Sequence, residues 1–272
     1  MYFSEDSIHT EIIKRDFQGA TAEELKDLYI QRNILGCDPD TFIYRLTRTD
    51  YFIEDLATSK ITLSNISADV FDDYLENPLS GKYFKDGDDS FTLGFLENYY
   101  ALCWTNDPTD SAWRWERFLK QKPGVRIKVC LRKFMHRLMS TEDPFFMLNY
   151  FAAKINYVDF ETIENLGSDN DYSKFLDTLG LNALPLVTTL TDHLEDEEEI
   201  RIIYSHSPSN NEFTARKVII RDRLCKIPFD WTGVIEEVLI ASHLSDSEYS
   251  NIEEKLRCLG INAIIKRSKP EH

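Results

Sequence analysis

The sequence predicts an α+β protein, a mixed central sheet with helices around it. Three observations lead there. Strand-like and helix-like segments alternate irregularly, without the regular βα repeat of a doubly wound sheet. Two capping-box signatures, Thr21-Ala22-Glu23-Glu24 and Ser245-Asp246-Ser247-Glu248, mark helix starts toward the two ends of the chain. Hydrophobic residues make up 42% of the 272 and aromatics 12%, enough to build a packed core.

In order along the chain, the first forty residues read as helical. Leu25, Leu28, Tyr29 and Leu35 recur at helical spacing after the first capping box, and Gly36 is the expected stop. Thr41 to Thr47 and Ile61 to Asn65 read as strands flanking a short amphipathic helix, Tyr51 to Ala57. Ala68 to Glu76 reads as a further helix and residues 80–90 as a polar loop. Tyr99 to Trp104 and Val125 to Leu131 read as strands, with a helix from Ala112 to Leu119 between them capped by Asp110 or Ser111. Residues 131–180 read as mostly helical, with a strand inside Ala153 to Asp159 as the alternative. The acidic run Glu195 to Glu199 leads into a strand at Ile200 to Tyr204. Two more strands are expected at Ala215 to Arg221 and Val234 to Ala241. The second capping box opens a helix closing near Gly260, and Ile261 to Ile265 is the expected last strand. The only boundary drawn divides a helical N-terminal segment, 1–40, from an α+β core domain, 41–272.

With 31 Lys+Arg and 47 Asp+Glu the formal net charge is −16. That weighs against nonspecific nucleic-acid binding, which needs surplus positive charge, and leaves room for a local basic groove. No apolar run approaches the roughly 20 residues of a membrane span, so no membrane partner is expected. The opening MYFSEDSIHTEIIKRDF is acidic and broken by charges, unlike a signal peptide. Five scattered cysteines without a CxxC pair read as free thiols of a cytoplasmic protein, with no zinc site. Nucleotide-loop, zinc-protease and nucleophile-elbow signatures are absent. The six histidines show no ligand spacing, which leaves metal-dependent hydrolase and nuclease readings poorly supported.

Two clusters remain. In Glu195-Asp196-Glu197-Glu198-Glu199, Glu197 and Glu199 share a face if the chain is extended, and Arg201 continues it where it can orient Glu199. Crowded carboxylates serve as acid, base or stabiliser of a developing cation; a solvated turn before a strand is the plainer alternative. In Ser111 to Phe118, Trp113 and Trp115 with Arg114 and Arg117 are able to stack on a planar ligand. The pattern favours instead Trp115 and Phe118 as core anchors of a short helix.

Several segments, taken in order, resemble the bacterial domain-of-unknown-function family twenty-nine seventy-one. They are Ile43-Tyr44-Arg45-Leu46, Leu63-Ser64-Asn65, Cys103-Trp104-Thr105, Trp115 with Phe118 and Gly124, Glu197-x-Glu199-x-Arg201, and Ile227 to Trp231 with Ile235 to Val238. Phe71 to Glu76 matches the family's F-N-D-P-F-E element only in part, with Asp72 for Asn and Tyr74 for Pro. The Lys and Trp upstream of the family's E-x-E are missing, Thr189 and Leu194 lying nearby instead. The resemblance spans about residues 41–268 and implies a bacterial setting among phage defence or toxin–antitoxin genes, without an established reaction.

The order Arg45, Ser64, then Glu197-x-Glu199 is also similar to the R-S-E arrangement of ADP-ribosyltransferases, which implies a fold of that kind. On that resemblance Arg45 pairs with a phosphate of NAD and Ser64 holds the nicotinamide ribose. Glu199 stabilises the oxocarbenium-like state, Glu197 serves the acceptor, and Tyr44 or Trp104 offers a stacking surface. Each has a plainer alternative: Arg45 bridging surface acids, Ser64 capping a helix, Glu199 facing water. Two functions are therefore expected to compete. One is an NAD-using transferase or NAD glycohydrolase acting on a protein or other macromolecular acceptor. The other is a non-catalytic acidic module, an antitoxin or regulator, that covers a basic surface.

Overall fold

Thr21 caps the second helix as the sequence predicts, its side chain accepting from the Glu24 amide while the Glu24 carboxylate accepts from the Thr21 amide. The computed structural model describes residues 6–66, 84–86, 89–91, 97–168, 172–175, 177, 179–206 and 211–271. Helices α1 (Asp6–Phe17) and α2 (Ala22–Asn33) lead into a short strand β1 (Ile34–Leu35). Then come β2 (Phe42–Arg48), α3 (Thr49–Thr58) and β3 (Lys60–Asn65). A hairpin of β4 (Phe84–Asp86) and β5 (Asp89–Phe91) precedes β6 (Tyr99–Thr105), α4 (Ala112–Leu119), β7 (Gly124–Cys130) and α5 (Leu131–Leu138). The middle holds α6 (Phe146–Asn149), β8 (Tyr150–Lys154), β9 (Asn156–Val158), α7 (Phe160–Ser168), α8 (Pro185–Thr188) and β10 (Thr189–Thr191). It closes with β11 (Glu199–Ser205), α9 (Glu212–Lys217), β12 (Ile219–Arg221), β13 (Leu224–Pro228), β14 (Ile235–Ile240), α10 (Asp246–Cys258) and β15 (Ile264–Arg267).

The fold is α+β with a mixed central sheet. The main sheet runs β1-β8-β11-β6-β2-β7-β14-β15, and β3, β13 and β12 branch from β6. Alternation along the strands sends Tyr100, Leu102 and Trp104 of β6, and Ile200, Ile202 and Tyr204 of β11, into one core. Helix α5 covers it with Phe134, Met135 and Leu138, and α10 with Ile252 and Leu256. A smaller cluster, Tyr99, Ala101, Phe151, Ala153 and Ile203 with Leu181, Leu184 and Val187, fills the other face. No helix among the described residues is long and apolar enough to cross a membrane. All five cysteines are free thiols.

Several expectations about elements need correction. Helix α2 stops at Asn33, short of Leu35, because the Asn33 side chain donates to the carbonyls of Met147 (3.0 Å) and Tyr150 (2.8 Å). Ile34–Leu35 then pairs in parallel with Ala152–Ala153, and Ile30 and Ile34 join the main core. Within 80–90 the expected loop contains β4 and the start of β5, which pair antiparallel with Asp86 opposite Asp89. In 131–180 the alternative strand inside Ala153 to Asp159 is present as β9, and Tyr150–Lys154 is a further strand, inside the main sheet, whose run of buried residues lacks the alternation that announces one. In the expected strand Ala215 to Arg221, Asn211 caps a helix by accepting from the Phe213 amide, and only Ile219–Arg221 is extended. The last strand begins at Ile264, after Gly260 has ended α10 at φ +88°. The helix expected over Ala68 to Glu76 lies outside the described residues.

Candidate active site

Strand β6 is a fork. Its Thr105 end pairs with Tyr44 of β2, while its Ala101 and Tyr100 pair with Ser64 and Asn65 of β3. Between those contacts the two branches separate. A cleft of about 410 Å³ opens there, lined by residues from β2, β3, β6 and α4 and by Glu197, Glu199 and Arg201. All six residues singled out in the sequence, Tyr44, Arg45, Ser64, Trp104, Glu197 and Glu199, line it. Arg45 and Glu199 therefore face one space, from segments over 150 positions apart.

The two glutamates are held differently. Glu199 opens β11, and its buried carboxylate receives a bidentate fork from Arg201, Nε to Oε1 at 2.7 Å and Nη2 to Oε2 at 3.1 Å. The third guanidinium nitrogen of Arg201 donates to the Val187 carbonyl at 2.7 Å. The Glu199 amide donates to the Tyr157 hydroxyl at 2.9 Å, and burial pushes that phenol's pKa well up. Glu197 is not on a strand with Glu199, as the two-residue spacing suggests. It ends a 3₁₀ turn, Asp192–Glu197, and Glu198 follows in the left-handed region at φ +46°. Its carboxylate pairs with Arg117 at 2.6 Å. Arg114 donates to the carbonyls of Asp196 (2.8 Å) and Glu197 (2.9 Å) and pairs with Asp107 at 3.2 Å. The arginines of α4, which the sequence offers as stacking planes, instead tether the acidic turn.

On the opposite wall Arg45 is half-buried and, among the described residues, its side chain forms no hydrogen bond or ion pair. Burial lowers its pKa, against the attraction of Asp55. Asp55 itself is raised by burial, against hydrogen bonds from Thr62 (Oγ1 to Oδ1 2.6 Å, amide to Oδ2 3.3 Å) and the charge of Arg45. Tyr44 is buried, one ring face covered by the Arg126 guanidinium at 4.1 Å. Trp104 is 3% exposed and its ring meets Phe134 edge-on at 5.1 Å, so its aromatic face is committed to the core. Ser64 stands half-buried at the β3 end of the fork.

Two features were missed by sequence reasoning. Arg126 reaches the cleft from β7, where Val125, Ile127 and Val129 take the core side and Arg126 falls on the other; the alternation in Gly124–Cys130 carries that signal. Phe118 lines the cleft at 47% exposure while Trp115 is buried, so only one of the two expected anchors is in the core. In total five arginines (45, 48, 114, 126, 201) and two glutamates line the cleft. Three of those arginines are already paired, Arg48 with Asp50, Arg114 with Asp107 and Arg201 with Glu199, which leaves Arg45 and Arg126 without a direct ion pair among the described residues. Among the described residues no group of three or more His, Cys, Asp or Glu is arranged to hold a metal ion.

No family model matches the chain, so the resemblance to family twenty-nine seventy-one rests on the quoted residues alone. No curated protein matches either. Among solved structures the chain is similar to Thermus sp. 2.9 DarT in complex with ADP-ribosylated ssDNA, at 10% identity and a TM-score of 0.38, over 85% of this chain and 95% of that one. It is also similar to the same protein with carba-NAD+ (10% identity, TM-score 0.35, 85% and 97% covered) and with NAD+ (10% identity, TM-score 0.36, 84% and 95% covered). At such scores the likeness carries no argument, and the functional reading rests on the residues of the cleft.

Proposed function

We propose that the cleft at the β6 fork binds NAD and that the chain transfers its ADP-ribosyl group to water or to a macromolecular acceptor. One observation carries the reading. Arg45, Ser64, Glu197 and Glu199, distant in sequence and needed together for this chemistry, line one cleft whose charge suits a diphosphate. The guanidinium of Arg45, which feels the charge of Asp55 but pairs directly with no carboxylate among the described residues, matches the forked geometry of phosphate oxygens. Ser64 is the candidate partner of the nicotinamide ribose. As the bond from ribose C1′ to the nicotinamide nitrogen breaks, nicotinamide leaves with the bonding pair and positive charge grows on the sugar. Glu199, held by Arg201, is the candidate group for stabilising that charge through the ribose hydroxyl. An oxygen or nitrogen of the acceptor then bonds to C1′ and passes its proton to Glu197; when water attacks instead, its proton goes to bulk solvent. Tyr44, backed by Arg126, is the better candidate than Trp104 for contact with a planar ring.

The test is incubation with NAD, following free nicotinamide and label on protein or nucleic acid. Glu199→Gln is expected to lose about 10²–10³ in rate. Arg45→Ala should chiefly raise KM, because a phosphate contact acts on ground and transition states alike. Wild type and Glu199→Gln equally inert toward NAD would end this reading. The second reading, a non-catalytic acidic module, draws support from the net charge of −16 and from Arg201 engaging both oxygens of Glu199. It predicts no nicotinamide release from any variant.

A further inference from the structure

The far end of the branched sheet presents an open edge. Strand β12 pairs with β13 and with no other described strand. All three of its residues are exposed, and Ile219 and Ile220 retain 47% and 40% of their surface. Consecutive strand residues point to opposite faces, so both faces of β12 are bare, and Leu224 on β13 adds 38% exposure. An exposed edge strand with branched aliphatic side chains is a template for another strand, a hazard that proteins usually blunt. Here the flanking charges are mainly basic, although Lys217 and Lys226 are paired with Glu142 and Glu54. Residues 216–226 hold Arg216, Lys217, Arg221, Arg223 and Lys226 against one acid, Asp222, in a chain of net charge −16.

We propose that the edge of β12 is a docking site for an extended acidic peptide segment of a partner protein, which joins the main sheet as an added strand. Backbone hydrogen bonds along β12 supply affinity in this mode, and alternate side chains supply selectivity. Apolar residues of the segment cover Ile220 on one face of the strand, and its carboxylates meet Arg221 on the other face and Arg216 on the helix before it. Those arginines already pair with Glu212 and Asp222, but all four side chains are at least 74% exposed, where such pairs contribute little and exchange readily. The apolar groups are aliphatic, so the edge offers no aromatic platform for bases, which favours a peptide over single-stranded nucleic acid. The site is independent of NAD chemistry, although β13 pairs with β3, the strand that carries Ser64 to the cleft.

The probe is a fluorescein-labelled peptide of alternating valine and glutamate about six residues long, a usual strand length. It is titrated against the full chain by anisotropy up to about 1 mM, near the weakest affinity worth scoring. A valine–lysine peptide and a single-stranded oligothymidylate serve as comparisons. The acidic peptide is expected to bind and to slow hydrogen exchange at Ile219–Arg221. The double variant Arg216→Glu/Arg221→Glu, with an unchanged melting temperature, should weaken binding about tenfold or more. The proposal is overturned by any of four results: no binding of the acidic peptide, binding without protection of Ile219–Arg221, equal binding to the double variant, or tighter binding of the lysine peptide or oligothymidylate.

Discussion

At the scale of single residues, the two glutamates of the cleft differ in what their carboxylates already hold. Glu199 is buried with Arg201, each nearly sealed from water, so removing one partner strands a charge. Arg201→Met should cost about 3–5 kcal/mol in urea unfolding, and Glu199→Gln/Arg201→Met should recover part of it. Glu197 pairs with a half-exposed Arg117, and Glu197→Gln should cost less than about 1 kcal/mol. Its activity therefore reads chemistry with little folding loss, and nicotinamide release should fall less than label transfer. If Arg201→Met unfolds no sooner than wild type, the pair does not hold the site together. The cysteines give a second residue-scale outcome. Burial pushes the Cys225 thiol up to about 12 and the Cys37 thiol up to about 11. At pH 8 their thiolate fractions are then about 10⁻⁴ and 10⁻³. Iodoacetamide at pH 8 should label exposed Cys258 first and spare Cys225 and Cys37 until denaturant is added. Early labelling of Cys225, mapped by mass spectrometry, would contradict its burial.

At the scale of elements, α4 links the C-terminal residues to the cleft. Asp110, just before the helix, accepts from Trp115 Nε1 at 2.7 Å, from Ser268 Oγ at 2.8 Å and from the Lys269 amide at 2.8 Å. The Glu271 amide donates to the Asp110 carbonyl and the Ala112 amide to the Glu271 carbonyl. The same helix sends Arg114 and Arg117 to the acidic turn. Each buried donor left unmet costs about 1–3 kcal/mol, so Asp110→Ala should destabilise by about 3 kcal/mol. Trp115→Ala should cost about 3–5 kcal/mol, as for other buried aromatics. A melting temperature unmoved by either change would show that the latch contributes nothing. Helix α4 and both capping boxes were legible in the sequence because caps and apolar periodicity are local signals. Strand β8 was not, since a strand buried on both faces shows no alternation. Nor was the 3₁₀ turn before β11, where Arg114 holds backbone carbonyls through a contact more than 80 positions away.

At the scale of the molecule, the cleft exists because two branches of the sheet share one strand. Arg45, Ser64 and the glutamates were legible as residue types in the right order. That they meet was not legible, because the meeting depends on β6 pairing with β2 at one end and β3 at the other. Arg126 was missed for the same reason: its relevance comes from lying over Tyr44 across the β2–β7 ladder. The fork also says where a ligand will be felt. Tyr44↔Thr105 is the one register pair that joins the β2 branch to β6, and Leu102, Cys103 and Trp104 lie between it and the β3 contact. Amides on the diverging edges there have fewer ladder partners than those inside the branches, and so should exchange faster in the free protein. A ligand in the cleft bridges Arg45 on one branch to Ser64 on the other and holds the fork at one width. Saturating NAD or a non-hydrolysable analogue should therefore slow exchange at Tyr44–Leu46 and Leu102–Thr105, with little change at β14 and β15. At the NAD concentration that just saturates wild type, Arg45→Ala should lose most of that protection while leaving the exchange of the free protein unaltered elsewhere. Protection appearing instead around Gly233 and Gly260–Ile264, which line a separate cavity, would place the nucleotide outside the fork and detach Arg45, Ser64, Glu197 and Glu199 from its recognition.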